Sequence, residues 1–372
     1  ARSCGTGLRG FESHPPHHSI LRFIRSKKRV SAGPWRANSV FILLSHRRNY
    51  SVSRMEEQLD LQVNIGRTTL RNPIILASGP LGYKPSILRR FAEAGFGVIP
   101  SKTLTPVPWP GNPHPTVVDV HEAYILNSDG LRNPGFQAFV EEIKVAKMDG
   151  VPLIVSIAAA DIDEWISGAK LMEKSGADVV QLNTGCAHIS PETRWGAYWS
   201  RSPERLARLV GTLKKEVSVP IWTKTRHVRV AEEAGADANV ITGLFSGMLI
   251  DVDTGRPRLG ALQFPGTVSG PAAKPAGILN VVNAARSVKI PLIGSGGITT
   301  GLDVLEYLMA GACAVEVYCV AMRKGPTTVR TMIDEIKNYL NRKRDLGVKE
   351  LIGKSLKHIP QLEWTGETQQ SF

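Results

Sequence analysis

The sequence predicts an α/β chain wound as a (β/α)8 TIM barrel, on three observations. Eight short apolar runs alternate with helical patterns along residues 55–372. Nearly all the runs are continuous, as strands of a parallel sheet buried on both faces are. No run is followed by the GxGxxG turn of a doubly wound nucleotide-binding sheet. A barrel of this kind takes roughly 250 residues plus insertions, so 55–372 is read as a single barrel domain.

The runs, in order, are "IILAS" (74–78), "EAGFGVIPSK" (93–102), "LIVSI" (153–157), "KSGADVVQLN" (174–183), "PIWTK" (220–224), "EAGADANVITG" (233–243), "PLIGS" (291–295) and "MAGACAVEVYC" (309–319). Four of them share one pattern: a helix end, a Gly suited to a left-handed cap, then an apolar strand. Of the helices, "SPERLARLVGTLKKEV" (202–217) is the clearest. Ser202 is an N-cap and Pro203 fits the first turn. Leu206, Leu209, Val210, Leu213 and Val217 form one apolar stripe.

Catalysis in this fold sits at the C-terminal ends of the strands. Those ends read Ser78, Lys102, Ser156, Asn183, Lys224, Thr242 and Ser295. Any one Ser or Thr there is ordinary strand-end polarity. Two lysines converging with an asparagine call for an anion or a polar ring to offset their desolvation. Past the fourth strand, Cys186 and His188 stand in "QLNTGCAHIS" (181–190). A cysteine just beyond a strand end, beside polar groups, is a candidate nucleophile or acid/base rather than a core residue. "IGSGGITTG" (293–301) puts small residues where backbone N–H groups can approach a phosphate, ahead of a helix starting near Thr300. "TVSGPAAKP" (267–275) is a second Gly/Ser loop opening a helix beside it. Together they suggest a phosphorylated cofactor lying across the barrel mouth.

The formal net charge is +13, but it is unevenly placed. Residues 1–54 carry eleven Lys+Arg against one acid, whereas 55–372 hold 35 basic and 32 acidic residues. The body is near neutral and nucleic-acid binding is not expected. Three readings of the leader stay open: translated upstream DNA ahead of a start at Met55, a mitochondrial presequence, or a disordered basic arm. "GFESHP" (10–15) favours the first, since it reads back to the T-arm of a transfer-RNA gene. No apolar run reaches the ~18 residues of a membrane span. The four cysteines (Cys4, Cys186, Cys313 and Cys319) form no CxxC pair, so neither a metal site nor an iron–sulfur cluster is expected. They fit a reducing compartment.

From about residue 60 to about 355 the chain resembles the class 1 dihydroorotate dehydrogenases and the pyrimidine-reducing domain of dihydropyrimidine dehydrogenase. The motifs are "NPIILASGPLG" (72–82), "SKTLTP" (101–106), "GNPHP" (111–115), "NSDGLRNPG" (127–135), "QLNTGCAH" (181–188), "PIWTK" (220–224), "IDVDTGRP" (250–257), "SGPAAKP" (269–275) and "IGSGGITTG" (293–301). The resemblance implies an FMN-binding barrel that oxidises dihydroorotate, or a similar dihydropyrimidine, in pyrimidine biosynthesis. It implies that Ser78, Lys102 and Lys224 contact the flavin. Gly296 and Gly297 hold its phosphate, with Ser269 and Gly270 alongside. Asn127 and Asn183 grip the pyrimidine, and the 127–131 loop, with Gly130 and Leu131, offers it backbone groups. Cys186 is the acid/base at C5, with Lys102 as its catalytic companion, and hydride passes from C6 to the flavin. His188 either orients Cys186 or is a solvated loop residue. A homodimer is expected, with an iron–sulfur flavoprotein subunit as electron acceptor, in the cytoplasm or, if the leader is a presequence, in the mitochondrial matrix.

Three departures stand out. The family's Asn-Leu-Ser-Cys-Pro loop reads Asn183-Thr184-Gly185-Cys186-Ala187 here, which predicts a more mobile loop. Gly243 stands at a substrate-binding Asn position. Tyr318-Cys319 replaces a Gly-Thr beside the phosphate, so Tyr318 either crowds that site or fills another gap. The departures leave room for another small amide substrate, for an inactive partner subunit, or for a phosphate-binding isomerase using Cys186 and Lys102.

Overall fold

The computed structural model describes residues 59–345 and 347–360, so the readings of the leader lie outside the described residues. Eight parallel strands form the central sheet: Ile74–Leu76, Ile99–Pro100, Leu153–Ile157, Val179–Asn183, Ile221–Lys224, Ala238–Thr242, Leu292–Ser295 and Ala314–Val317. Each pairs with its sequence neighbours, from the first round through the eighth. The ring closes between the first two: Gly97 N donates to Ile74 O at 2.8 Å and Leu76 N to Val98 O at 3.2 Å. Closure removes the unpaired edges, and the expected (β/α)8 barrel is the fold.

The four repeated glycines behave as their pattern predicts. Gly95, Gly176, Gly235 and Gly311 all have positive φ, at 128°, 100°, 93° and 116°, each just past a helix. The left-handed turn ends the helix and aims the chain into the next strand. Helix Pro203–Glu216 likewise forms from its local signals. Ser202 Oγ accepts from Arg205 N at 3.2 Å, and Leu206, Leu209, Val210 and Leu213 are buried.

A hairpin, Val63–Ile65 with Thr68–Leu70, precedes the barrel. Arg67 Nη2 donates to Ser218 O at 2.7 Å, just ahead of the fifth strand, so the hairpin lies at the N-terminal end of the barrel. At the other end a four-stranded antiparallel sheet is inserted, in the order Phe245–Gly247, Gly266–Ser269, Tyr124–Asn127, Val117–Val120. The sequence reading treated 127–131 and 267–275 as loops. In fact Asn127 and Thr267–Ser269 are strand residues: Thr267 pairs with Asn127 and Ser269 with Ile125. The strand is only four residues long and pairs across a separation of about 140 residues, so local pattern carries little of it.

Register decides which side chains face the barrel interior, since alternate residues share a face. Gln181 pairs with Trp222, and Trp222 with Ala238. Thr242 lies on the Ala238 face and pairs with Ser295, which pairs with Glu316. Asn183, Lys224, Thr242, Ser295 and Glu316 therefore all look inward, the first four at the mouth.

Candidate active site

Lys102 follows the second strand on an extended segment that passes tightly over Gly82, where a Cβ would stand 2.5 Å from Lys102 N. The lysine is 6% exposed, and its Nζ lies 2.5 Å from Asp129 Oδ2. The same carboxylate oxygen accepts from the Tyr83 hydroxyl at 2.8 Å, while Arg132 Nε stands 3.7 Å from Oδ1. Burial raises the Tyr83 hydroxyl's pKa, and the Asp129 charge raises it further, so it remains a donor. In the 127–131 loop the sequence singles out Asn127 and the backbone of Gly130 and Leu131, not Asp129. Gly130 and Leu131, with φ of 68° and 59°, turn that loop sharply. A side chain at 130 would strike Asn112, 2.5 Å from a Cβ there.

Cys186 sits in a turn built by Asn183. The Asn183 Oδ1 accepts from Gly185 N and Cys186 N, each at 3.2 Å, and Nδ2 donates to Thr103 Oγ1 at 2.9 Å. Cys186 O accepts from Ala197 N at 2.9 Å. Gly196, with φ of 55°, packs so closely that a Cβ would stand 2.6 Å from that carbonyl. This brace holds the loop that lacks the family's Ser and Pro. Asn183 spends its side chain on this loop and on Thr103. Burial pushes the Cys186 thiol's pKa up; the His188 backbone N–H and the Lys102 charge pull it down, and Asp129 opposes them.

His188 is buried rather than solvated. Its Nε2 meets Thr267 Oγ1 at 2.8 Å, and burial lowers its pKa to about 4. Its ring therefore serves Thr267, and its backbone serves Cys186. Asn112 Nδ2 donates to both Ser128 O, at 2.7 Å, and His188 O, at 3.0 Å. It ties the Asp129 loop to the Cys186 loop, a role that "GNPHP" alone does not disclose.

Beneath the mouth, Lys224 Nζ lies 2.6 Å from Glu316 Oε2, and Gln181 Nε2 stands 3.4 Å from Oε1. Glu316 was legible only as a lone acid in an apolar strand, "CAVEVYC". The Trp222 indole N–H and Gln181 Oε1 have no partner among the described residues.

Gly243 does not face the substrate side. A Cβ there would stand 2.3 Å from Gly277 N and 2.5 Å from Ala273 O, on the helix packed outside the sheet. Thr242, one residue earlier, carries the mouth-facing side chain. A one-residue offset reverses the face of a strand, and the alignment by motif missed it.

At the phosphate end, Gly296 and Gly297 have φ of 119° and 73°. Their amides donate to no group among the described residues. The following helix, Gly301–Ala310, was expected to turn its N-terminus toward a phosphate. It begins in a capping box: Thr300 Oγ1 accepts from Asp303 N at 3.1 Å, and the Asp303 carboxylate accepts from Thr299 N at 2.8 Å and Thr300 N at 2.9 Å while pairing with Lys274 at 2.7 Å. Ser269 accepts from Cys319 Sγ at 3.3 Å and donates to Ile125 O at 3.3 Å, and Gly270 turns beside it with φ of 97°. Ser78 Oγ donates to Ser101 O at 2.7 Å, and Asn127 Nδ2 to Thr267 O at 3.3 Å. The Tyr318 ring lies over Gly79, 2.7 Å from where a Cβ would be, so it fills a gap between the first and last strands. No described helix is long and apolar enough to cross a membrane.

Comparison with known proteins agrees with this geometry. The family model for dihydroorotate dehydrogenase matches residues 60–340. The chain is 36% identical to the dihydroorotate dehydrogenase B (NAD(+)) catalytic subunit of Methanocella arvoryzae over 311 residues, covering 82% of this chain and all of that protein. It is 38% identical to that of Methanothermobacter thermautotrophicus over 302 residues, covering 79% and 97%. The crystal structure of a dihydroorotate dehydrogenase from Eimeria tenella with ferulenol superposes with a TM-score of 0.67 at 25% identity, over 84% of this chain and 91% of that one. The two archaeal relatives lend no support to a mitochondrial location. With eight strands, the Cys186 turn and a match across most of its length, this chain belongs to the dihydroorotate dehydrogenase family.

Proposed function

We propose that the chain is the FMN-dependent catalytic subunit of a dihydroorotate dehydrogenase, oxidising dihydroorotate to orotate in pyrimidine biosynthesis. The observation that carries this reading is the Cys186 thiol, fixed at the barrel mouth in a turn braced by Asn183 and Ala197 and within the field of Lys102.

The residues present fit FMN. Amides at Gly296 and Gly297 without a partner among the described residues suit its phosphate, and Lys102, Lys224 and Ser78 are the side chains that would contact its ring. When bound, FMN supplies the acceptor for the hydride that leaves C6. Cys186 takes the proton from C5, so that C5 and C6 become doubly bonded. The thiol must ionise first, which Lys102 and the His188 N–H assist against its burial. The Asn127 carboxamide oxygen and the backbone of Gly130 and Leu131 are the polar groups offered to the pyrimidine.

The related proteins are named NAD(+) enzymes and catalytic subunits. We accordingly assign the electrons to a second subunit, an iron–sulfur flavoprotein, with this chain as a homodimer in the cytoplasm. Of the two departures that favoured another amide substrate, Gly243 and Ala187, the first faces away from the mouth. The test is a visible spectrum of the full chain before and after dihydroorotate is added without oxygen. A yellow protein that bleaches supports the assignment. A yellow protein that stays yellow excludes dihydroorotate, and a colourless one that takes up no FMN excludes the flavin.

A further inference from the structure

Each lysine of the mouth has a carboxylate partner within the chain. Lys224 is held by Glu316 and Lys102 by Asp129. Dihydroorotate carries a carboxylate on C6, the carbon next to the one Cys186 serves, so that carboxylate lies within a few ångströms of the thiol. Lys102 is the cation whose charge acts on Cys186. A buried carboxylate needs a charged partner, and Lys102 already has one.

We infer that Asp129 is a specificity-determining place-holder: in the free enzyme it occupies the position on Lys102 that the substrate's carboxylate takes, and it gives that position up on binding. The geometry supplies somewhere for Asp129 to go. Its Oδ2 already accepts from Tyr83, and Oδ1 faces Arg132 at 3.7 Å, a separation that can shorten. Arg132 is about one-third exposed, and its Nη2 donates to Asn112 O at 3.0 Å, which holds the guanidinium beside Asp129. Asp129 also lies on a loop turned by two consecutive residues of positive φ, Gly130 and Leu131, while the adjacent Ser128 Oγ is buried without a partner. Two carboxylates cannot both lie against one buried ammonium without repulsion. Ligands with and without a carboxylate are therefore told apart by whether they must displace Asp129.

This rests on the reading of the site as one for dihydroorotate. The probes are orotate and its uncharged counterpart uracil, titrated into the FMN-loaded full chain and followed by flavin absorbance. Asp129→Asn keeps the shape and removes the charge. It is expected to tighten orotate by about tenfold, roughly the effect of one partly screened charge, and to leave uracil within about twofold. Tyr83→Phe removes the alternative partner and is expected to weaken orotate while sparing uracil. With dihydroorotate as substrate the Asn variant is expected to lower KM more than it changes kcat. A merely structural Asp129 would move both ligands, and both constants, together. Unchanged or weaker orotate binding in Asp129→Asn overturns the inference. So does an effect on uracil equal to that on orotate. Failure of wild type and both variants to bind orotate, with FMN in place, overturns the substrate assignment and the inference with it.

Discussion

Lys224 and Glu316 meet 2.6 Å apart inside the barrel, although 92 residues separate them in the chain. The glutamate side chain is 1% exposed and the lysine 19%. A charge so enclosed is tolerable only while its partner is present. Lys224→Met is expected to cost about 3–5 kcal/mol, the usual penalty for stranding one member of a buried pair. Lys224→Met with Glu316→Leu should recover part of that loss, and urea unfolding of the three proteins reads the difference.

Cys186 is placed to act as base, and its thiol is harder to ionise than a free one. Cys186→Ser should slow flavin reduction by dihydroorotate by at least about 10²-fold, the lower range for a general base, with FMN retained. Because burial raises the thiol pKa, the wild-type rate should climb as pH rises through neutrality into the alkaline range. Anaerobic stopped-flow absorbance measures both. Unchanged reduction in the serine variant would remove Cys186 from the chemistry.

Gly243 tolerates no side chain without displacing the helix behind it. Gly243→Asn is thus expected to destabilise the protein by about 1–3 kcal/mol, as overpacking does, and not to improve turnover. Thr242→Val, by contrast, should raise KM for dihydroorotate while leaving the thermal midpoint nearly unmoved. Thermal melts beside steady-state kinetics separate the two residues.

His188 is held neutral, with a folded pKa of about 4 against 6.5 when free. Between those values the unfolded chain takes up the proton that the folded one refuses. The stabilising contribution is therefore complete above about pH 6.5 and lost as pH falls toward 4, amounting to about 3 kcal/mol at most. Comparing melting temperatures of wild type and His188→Gln from pH 7 to pH 4.5 tests this. The wild type should lose more, and parallel curves would show that the histidine is already charged when folded.

The chain alone determined a good deal. Continuous apolar runs, four repeated glycine caps and the Ser202–Pro203 helix start are local features, and each is set by a few neighbouring residues. They sufficed for the barrel, and the motif order sufficed for the family. Polar strand ends also pointed to Lys102, Asn183, Lys224 and Cys186 as groups gathered at one mouth.

What tertiary structure decided were the partners. Asp129 on Lys102, Glu316 on Lys224, Thr267 on His188 and Asn112 between two loops join residues from 16 to 92 positions apart. Such pairings follow from strand register and loop closure, which no local pattern encodes. Register also turned Gly243 outward and Thr242 in, because the side-chain period of a strand is two and a shift of one residue changes its face. The sequence placed the charged groups, and the fold determined which of them neutralise one another.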